Sequence, residues 1–345
     1  MRVAFRTDAS ASIGLGHFTR CLALADHIAA SGGRVAIVTR SAHPAVTAAL
    51  AVRGHDLRVL DLQPDASVAA DAAASARAID AGTDWIVVDH YGFDHRWETD
   101  VKSRASHLLA IDDLANRRHD CDVLVDPGHG READAYAGLT SDRTDLLLGT
   151  RFALLKPMFA GRHDAAPRRL AAHRVHLFFG GGDTAARWLV QYCRWLVEGF
   201  ADLEVRAVGC CDADAMQGLV QRFPERVAWQ HHLDDMANHM AECDVAFGAP
   251  GSATWERACV GLPMALVATA DNQVPILRNL DRTGFAAYLG RASDLDSAQF
   301  VAAFKDFLAD RKSLETRRAI GIASVDGRGT ERVVHRLQAR GAHLG

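Results

Sequence analysis

The sequence predicts an α/β protein made of two open parallel sheets, each covered by helices. Three observations predict it. Apolar runs of strand length alternate with longer stretches of helical period along almost the whole chain. That alternation restarts after a Pro-, Arg- and Ala-rich interruption, KPMFAGRHDAAPRRLAAH, between Lys156 and His173. Glycine turns recur where a strand gives way to a helix, in IGLGHFTR, FFGGGDT and GAPGSATWERACVGLP. A parallel sheet wound with helices on both faces is the architecture that follows such a pattern.

Taken in order, VAFRTD is the first strand, GHFTRCLALADHIAAS a helix, and RVAIVTR the second strand. LRVLDL, the Ala-rich SVAADAAASARAIDAG and DWIVVDHY continue the series, and SHLLAIDDL and CDVLVDP complete a first block. The Ala-rich helix around Ala72 reads as a surface helix. Residues 156–173 lack a clear period and read as an interdomain linker. HRVHLFFGGGD then opens a second block with a strand and a glycine turn, and TAARWLVQYCRWLVEGF supplies its helix. EVRAVGCC, RVAWQ, DVAFGA and PMALVATA are its later strands. The expected domains are therefore 1–156 and 173–345, with the closing helical stretch after Arg311 packing back on the first. Two Rossmann-type, doubly wound domains of this kind face a central cleft at the carboxyl ends of their strands, where open α/β sheets bind ligands.

Composition narrows the class. A chain of 345 residues, 49% hydrophobic and 24% charged, can build two ordinary cores. A net charge of −4 argues against nucleic acid or a membrane surface as partner, both of which call for a basic excess. Seven cysteines without CxxC spacing argue for reduced thiols rather than a disulfide framework or zinc ribbon. The N-terminus reads directly as a strand and no apolar run approaches a membrane span, so a soluble cytoplasmic protein is expected. The sequence is silent on oligomeric state, and a monomer is compatible with it.

Four stretches carry candidate chemistry. Gly14, Gly16 and His17 sit where the first strand turns into the first helix; the glycines permit a sharp turn and close approach to a ligand. An imidazole there serves either to pack the turn or to accept a proton near neutral pH. FFGGGDT, with Gly181 and Gly182, is a turn whose free N–H groups and helix dipole suit an anion, although a plain strand–helix turn explains it as well. In GAPGSATWE, the small residues Gly251, Ser252 and Ala253 leave amides free for a diphosphate at a helix opening at Ser252 or Ala253. Glu256, one turn further in, suits two ribose hydroxyls or is an ordinary first-turn acid. Asn272 and Gln273, after PMALVATAD, suit sugar hydroxyls or acetamido groups, or serve as turn and cap residues. Elsewhere, Asp89, His90 and Tyr91 end a strand, and Asp112, Asp113, Asn116, Arg117 and His119 follow on a loop that reads mostly as solvated or salt-bridged. Asp113 with His119 matches no familiar metal pattern. His231 and His232 lack a third ligand, and Cys210 and Cys211 read as buried inert thiols.

In order along the chain, IGLGHFTRCLALA, VVDHYGFD, IDDLANRRHDCDVLVDPG, GTRFALLKPMF, FFGGGD and APGSATWERACVGLPMALVATADNQ closely resemble the UDP-sugar hydrolases of pseudaminic acid biosynthesis. The likeness runs from Arg2 to about Leu308. The second half is also similar to the UDP-GlcNAc-using transferase that makes lipid II. The resemblance implies a glycosyltransferase-B-like fold with UDP held mainly by the second domain. It further implies inverting hydrolysis of UDP-2,4-diacetamido-2,4,6-trideoxy-β-L-altropyranose by C1–O cleavage, with no metal and no other cofactor. By position His17 matches the general base or water-orienting residue. Tyr91 matches an active-site tyrosine and Asn272 an asparagine near the sugar, while Gly251, Ser252 and Ala253 match the diphosphate-binding turn and Glu256 the ribose carboxylate. Gly16 and Gln273 are further candidates on the sugar side, and Gly181, Gly182 and Leu233 on the UDP side. A transferase using the same donor site, a non-catalytic nucleotide-sugar sensor, and a hydrolase for a related UDP-diacetamido sugar are the alternatives.

Overall fold

A computed structural model describes residues 1–9, 14–41, 44–63, 65–164, 173–181 and 183–341. The chain divides into two compact units, Met1–Leu155 with Arg328–Gly345, and Lys156–Gly327.

The first unit holds seven strands: β1 (Arg2–Thr7), β2 (Arg34–Thr39), β3 (Asp56–Val59), β4 (Thr83–Asp89), β5 (Ala105–Ile111), β6 (Val123–Asp126) and β7 (Asp145–Leu148). Their order is β3-β2-β1-β4-β5-β6-β7, and every pair is parallel. Because side chains alternate across a strand, Val3, Phe5, Trp85, Val87 and Leu109 pack on one face against α1 (Gly16–Ala30), α2 (Pro44–Arg53) and the last helix, α13 (Gly329–Gly341). Ala4, Ile86, Val88 and Leu108 pack on the other against α3 (Val68–Ala78) and α4 (His95–Val101). The Ala-rich helix α3 is more than a surface helix: Asp71 is fully buried and accepts from Arg6 Nη2 (2.6 Å), Arg40 Nε (2.7 Å) and Trp97 Nε1 (2.9 Å).

The second unit holds β8 (Arg174–Phe178), β9 (Glu204–Val208), β10 (Val227–Gln230), β11 (Val245–Gly248), β12 (Met264–Ala268) and β13 (Ala287–Arg291), ordered β10-β9-β8-β11-β12-β13 and again parallel. Its core joins Val175, Leu177, Phe247 and Val267 to Tyr192 and Leu196 of α6 (Asp183–Gly199) and to Phe300 and Phe304 of α11 (Ser297–Ala309). The remaining helices are α5 (Pro157–Asp164), α7 (Ala213–Arg222), α8 (Met236–Ala241), α9 (Ser252–Cys259), α10 (Gln273–Arg282) and α12 (Arg311–Ser324).

Three features depart from the sequence reading. Part of the stretch read as a linker is helix α5, started by Pro157 at a position that needs no N–H and anchored by buried Phe159. Strands β7 and β13 were not expected. β7 is four half-buried residues at a sheet edge, and β13 carries Gly290 at φ 118°. After Arg311 the chain forms two helices with different attachments: α12 packs on α9 in the second unit, and α13 packs on α1 in the first.

In both sheets the strand order reverses once, between β1 and β4 and between β8 and β11. At the second reversal the backbones converge so closely that a Cβ on Gly248 (φ 154°) would lie 1.8 Å from the Phe178 carbonyl oxygen. Gly248→Ala is expected to destabilise the second unit by about 3 kcal/mol, measured by denaturant unfolding of the full chain. An unchanged midpoint would contradict that packing.

Candidate functional site

In open α/β sheets, ligands bind beyond the carboxyl ends of the strands where the order reverses. The three glycine turns singled out above follow β1, β8 and β11 at these reversals, whereas Asn272 and Gln273 follow β12, one strand further out. In the first unit, β1 leads to Gly14 (φ 80°) and α1, while β4 ends in Asp89 and leads to Tyr91. Helix α1 starts at Gly16 without a side-chain cap and without an acidic residue in its first turn.

His17 is the second residue of α1, and its Nδ1 lies 2.8 Å from Asp89 Oδ1. Asp89 is fully buried, and burial disfavours its charge. Arg20 and His17 outweigh that penalty and hold the carboxyl far below the usual range. The ionised carboxylate and the Asp89 main-chain carbonyl, 3.3 Å away, only accept, so Nδ1 carries a proton, and in the neutral ring Nε2 is the nitrogen with the lone pair. Arg20, one helical turn beyond His17, grips the same carboxylate through Nε (2.6 Å) and Nη2 (2.7 Å). Its Nη1 reaches Asp113 Oδ2 at 2.8 Å. Burial opposes the Arg20 charge, but the two carboxylates raise its pKa well above the ordinary value. Tyr91 OH donates to Asp113 Oδ2 (3.3 Å), and the Tyr91 ring meets His17 edge-on with centroids 4.5 Å apart. Five side chains thus form a closed circuit: His17, Asp89, Arg20, Asp113, Tyr91. Tyr91 is also 42% exposed, which leaves part of the ring free for a ligand.

Neighbouring residues are occupied otherwise. His90 Nδ1 accepts from the Gly92 N–H (3.0 Å), its ring stacks on Phe93, and burial lowers its pKa to about 4, so it is neutral. Asp112 accepts from Arg117 Nη1 (2.6 Å), the Ala115 N–H (2.8 Å) and Tyr136 OH (2.9 Å). These bonds hold Ala115 at φ 49°, where among the described residues it is the one non-glycine with positive φ. His119 pairs with Glu98 Oε1 at 2.7 Å, whereas Asp113 belongs to the Arg20 circuit. The structure therefore does not bring Asp113 and His119 together, and among the described residues no group of three or more His, Cys, Asp or Glu side chains could hold a metal ion.

In the second unit the turn after β8 carries Gly180 (φ 102°) and exposed Gly181; Gly182 lies outside the described residues. After β11, Gly251 (φ 129°) is the N-cap of α9, which opens at Ser252 with no side-chain cap. Thr254 N donates to Gly251 O (2.9 Å), so the Ser252 and Ala253 amides precede the first helical bond and are available to an anion. Glu256 is half-buried, and burial pushes its carboxyl up while Lys156 and Arg257 act against the shift. Leu233 is half-buried between β10 and α8. Asn272 is exposed and is the N-cap residue of α10 without making a cap bond. Gln273 is less free than its sequence suggests. Its Oε1 accepts from Thr269 N (2.8 Å), Thr269 Oγ1 (3.2 Å) and Ala270 N (3.3 Å), which leaves only the amide nitrogen for a ligand. Cys210 is exposed, not buried, with Sγ 3.2 Å from His231 Nε2.

Asp89 and Arg20 escaped the sequence reading as partners of His17. The available signal was the i, i+3 spacing of His17 and Arg20, which puts both on one helix face, with an aspartate ending the strand opposite.

No protein-family model matches the chain, and no curated protein matches it. Solved structures do. MurG from Acinetobacter baumannii is 15% identical with a TM-score of 0.66, covering 98% of this chain and 100% of its own. The calicheamicin glycosyltransferase CalG4 is 15% identical at 0.68, covering 100% and 99%. UDP-GlcNAc 2-epimerase from Neisseria meningitidis, bound to UDP-GlcNAc, is 10% identical at 0.62, covering 98% and 100%. The chain has the glycosyltransferase-B fold. At these identities the likeness establishes the architecture, two parallel sheets of seven and six strands with helices. Among the described residues, no helix is long and apolar enough to cross a membrane.

Glu98 and Asp112 raise the His119 pKa to about 9 against a burial penalty that lowers it. A group raised in the folded state stabilises fully below its unfolded pKa and loses that contribution as pH rises through the folded one. Stability of the first unit is expected to fall by roughly 3 kcal/mol between about pH 6.5 and 9. Chemical denaturation across that range should show the fall in the wild type and flatten it in His119→Gln. The same alkaline slope in both proteins would contradict the assignment.

Proposed function

We propose that the chain is a UDP-sugar hydrolase that releases UDP and a free 2,4-diacetamido-2,4,6-trideoxy-L-altrose. The observation that carries this reading is the His17–Asp89 pair. A buried carboxylate fixes the imidazole with Nδ1 protonated, and Nε2 is the nitrogen left to accept a proton. The partner class is supported by the fold, shared with a UDP-GlcNAc-bound epimerase and with transferases, and by the amide-rich turns after β8 and β11.

In the proposed reaction a water oxygen attacks C1 of the sugar while the C1–O bond to the diphosphate breaks. The bonding pair leaves with UDP, His17 Nε2 takes the water proton, and C1 inverts. Asp89 balances the imidazolium that forms, and Arg20 keeps Asp89 in place. The departing diphosphate is stabilised by the Ser252 and Ala253 amides and the positive end of α9. Glu256 takes the ribose hydroxyls, and Leu233 lines the base end. A diphosphate leaves without protonation, so one base suffices where a glycosidase needs two carboxyl groups. Tyr91 offers an exposed ring face to the sugar, and Asn272 and the amide nitrogen of Gln273 offer hydrogen bonds to its substituents. Seven cysteines without CxxC spacing fit a reducing cytoplasm.

A transferase reading draws on MurG and CalG4, because the same pair would deprotonate an acceptor alcohol as readily as water. The experiment is to incubate the purified chain with UDP-2,4-diacetamido-2,4,6-trideoxy-β-L-altrose, with and without alcohol acceptors, and follow UDP and sugar. Hydrolysis predicts UDP release without an acceptor. Release that depends on an acceptor would establish the transferase instead. His17→Ala is expected to lower kcat by about 10²–10⁴-fold while UDP affinity stays within about twofold. Asp89→Asn, which can present the wrong tautomer, should cost on the order of 10²-fold or more. Normal turnover by His17→Ala would remove the base from the account.

A further inference from the structure

Arg257, on α9, is fully buried, yet among the described residues no carboxylate forms a salt bridge with it. Its Nη2 donates to the Phe178 carbonyl at 2.8 Å and its Nη1 to the Ala249 carbonyl at 3.1 Å, while Nε has no hydrogen-bond partner. Burial lowers its pKa to about 10, with the adjacent Glu256 offsetting part of the shift, so the group is still a cation at neutral pH. A buried cation without a paired carboxylate is costly unless something compensates it. The position of the two carbonyls is informative. Phe178 ends β8 and leads into the Gly180–Gly181 turn, and Ala249 follows β11 and leads into the Gly251–Ala253 turn. One guanidinium therefore ties together the two loops that leave the sheet at its order reversal. Gly248 makes the contact possible, since its missing Cβ would sit 3.0 Å from Arg257 Nη2 as well as against the Phe178 oxygen.

Resting on the nucleotide-binding reading above, we propose that Arg257 is a positioning residue of the diphosphate site. It locks the two glycine turns in register and supplies the buried positive charge that a nucleoside diphosphate neutralises. The charge acts from beneath the turns; the amides in front of it make the contact. Lysine keeps the charge but loses the two-pronged clamp, whereas methionine keeps most of the volume and loses both.

The test titrates uridine, UMP and UDP against the full chain by ligand-observed NMR, using wild type, Arg257→Met and Arg257→Lys. Arg257→Met is expected to weaken UDP by about tenfold or more, UMP by less, and uridine by no more than about twofold. Arg257→Lys should fall between wild type and Arg257→Met for UDP and leave uridine unchanged. Should circular dichroism show that Arg257→Met does not fold, the lysine variant decides: a selective loss of UDP supports the proposal. Equal losses of UDP and uridine, in whichever variant folds, reduce the residue to a structural role and overturn it, as does the absence of any loss. If the wild-type chain binds UDP no better than uridine, the diphosphate site itself is refuted, a result separate from the behaviour of the variants.

Discussion

Asp89 accepts hydrogen bonds from an imidazole and a guanidinium while almost completely removed from water. A carboxylate in that position is tolerable only because Arg20 grips it through two nitrogens. The consequence is directional: His17 has one orientation with Nδ1 as donor, and in the neutral ring the lone pair lies on Nε2. Tyr91 and Asp113 close the circuit, so the residue with the most exposed ring is tied to the same guanidinium that fixes the histidine partner. Disturbing Arg20 would loosen both at once.

Sheet topology places this chemistry. Each unit is wound outward in two directions from a central pair of strands, β1 with β4 and β8 with β11. The loops leaving these strands diverge to opposite sides, and the space between them is where glycine turns and helix N-termini become accessible. The two units use it differently. The first fills it with paired charges and an imidazole; the second leaves it to main-chain amides, with Arg257 underneath. Proton transfer needs fixed side chains, whereas a diphosphate is well served by N–H groups and a helix dipole. In the proposed reaction, the division of labour follows from which residues occupy equivalent turns.

Much of this was legible in the sequence, because the period of the apolar residues and the glycine turns report local geometry directly. Eleven of the strands coincide with runs read as strands, whereas β7 and β13 are short edge segments whose residues are only partly buried and so carry a weak pattern. Helix α5 was hidden by Pro157 and a polar composition, although a single buried residue, Phe159, anchors it. Long-range pairing was the harder part. That Asp89 meets His17, or Asp71 meets Arg6, depends on strands brought together from distant positions, and nothing local marks a buried aspartate as different from a solvated one. Gln273 shows the reverse case: a residue suited to a sugar spends its acceptor on its own loop.

The tautomer of His17 is the most direct measure of the account. Nitrogen-15 NMR of the imidazole side chains, assigned with His17→Gln, reports which ring nitrogen carries the proton. For the neutral form of the ring the expected tautomer is the one protonated at Nδ1, with Nε2 unprotonated, and Asp89→Asn is expected to disturb it. A neutral His17 ring carrying its one proton on Nε2 in the wild type would contradict the account, because the nitrogen assigned to take the proton from water would already hold one.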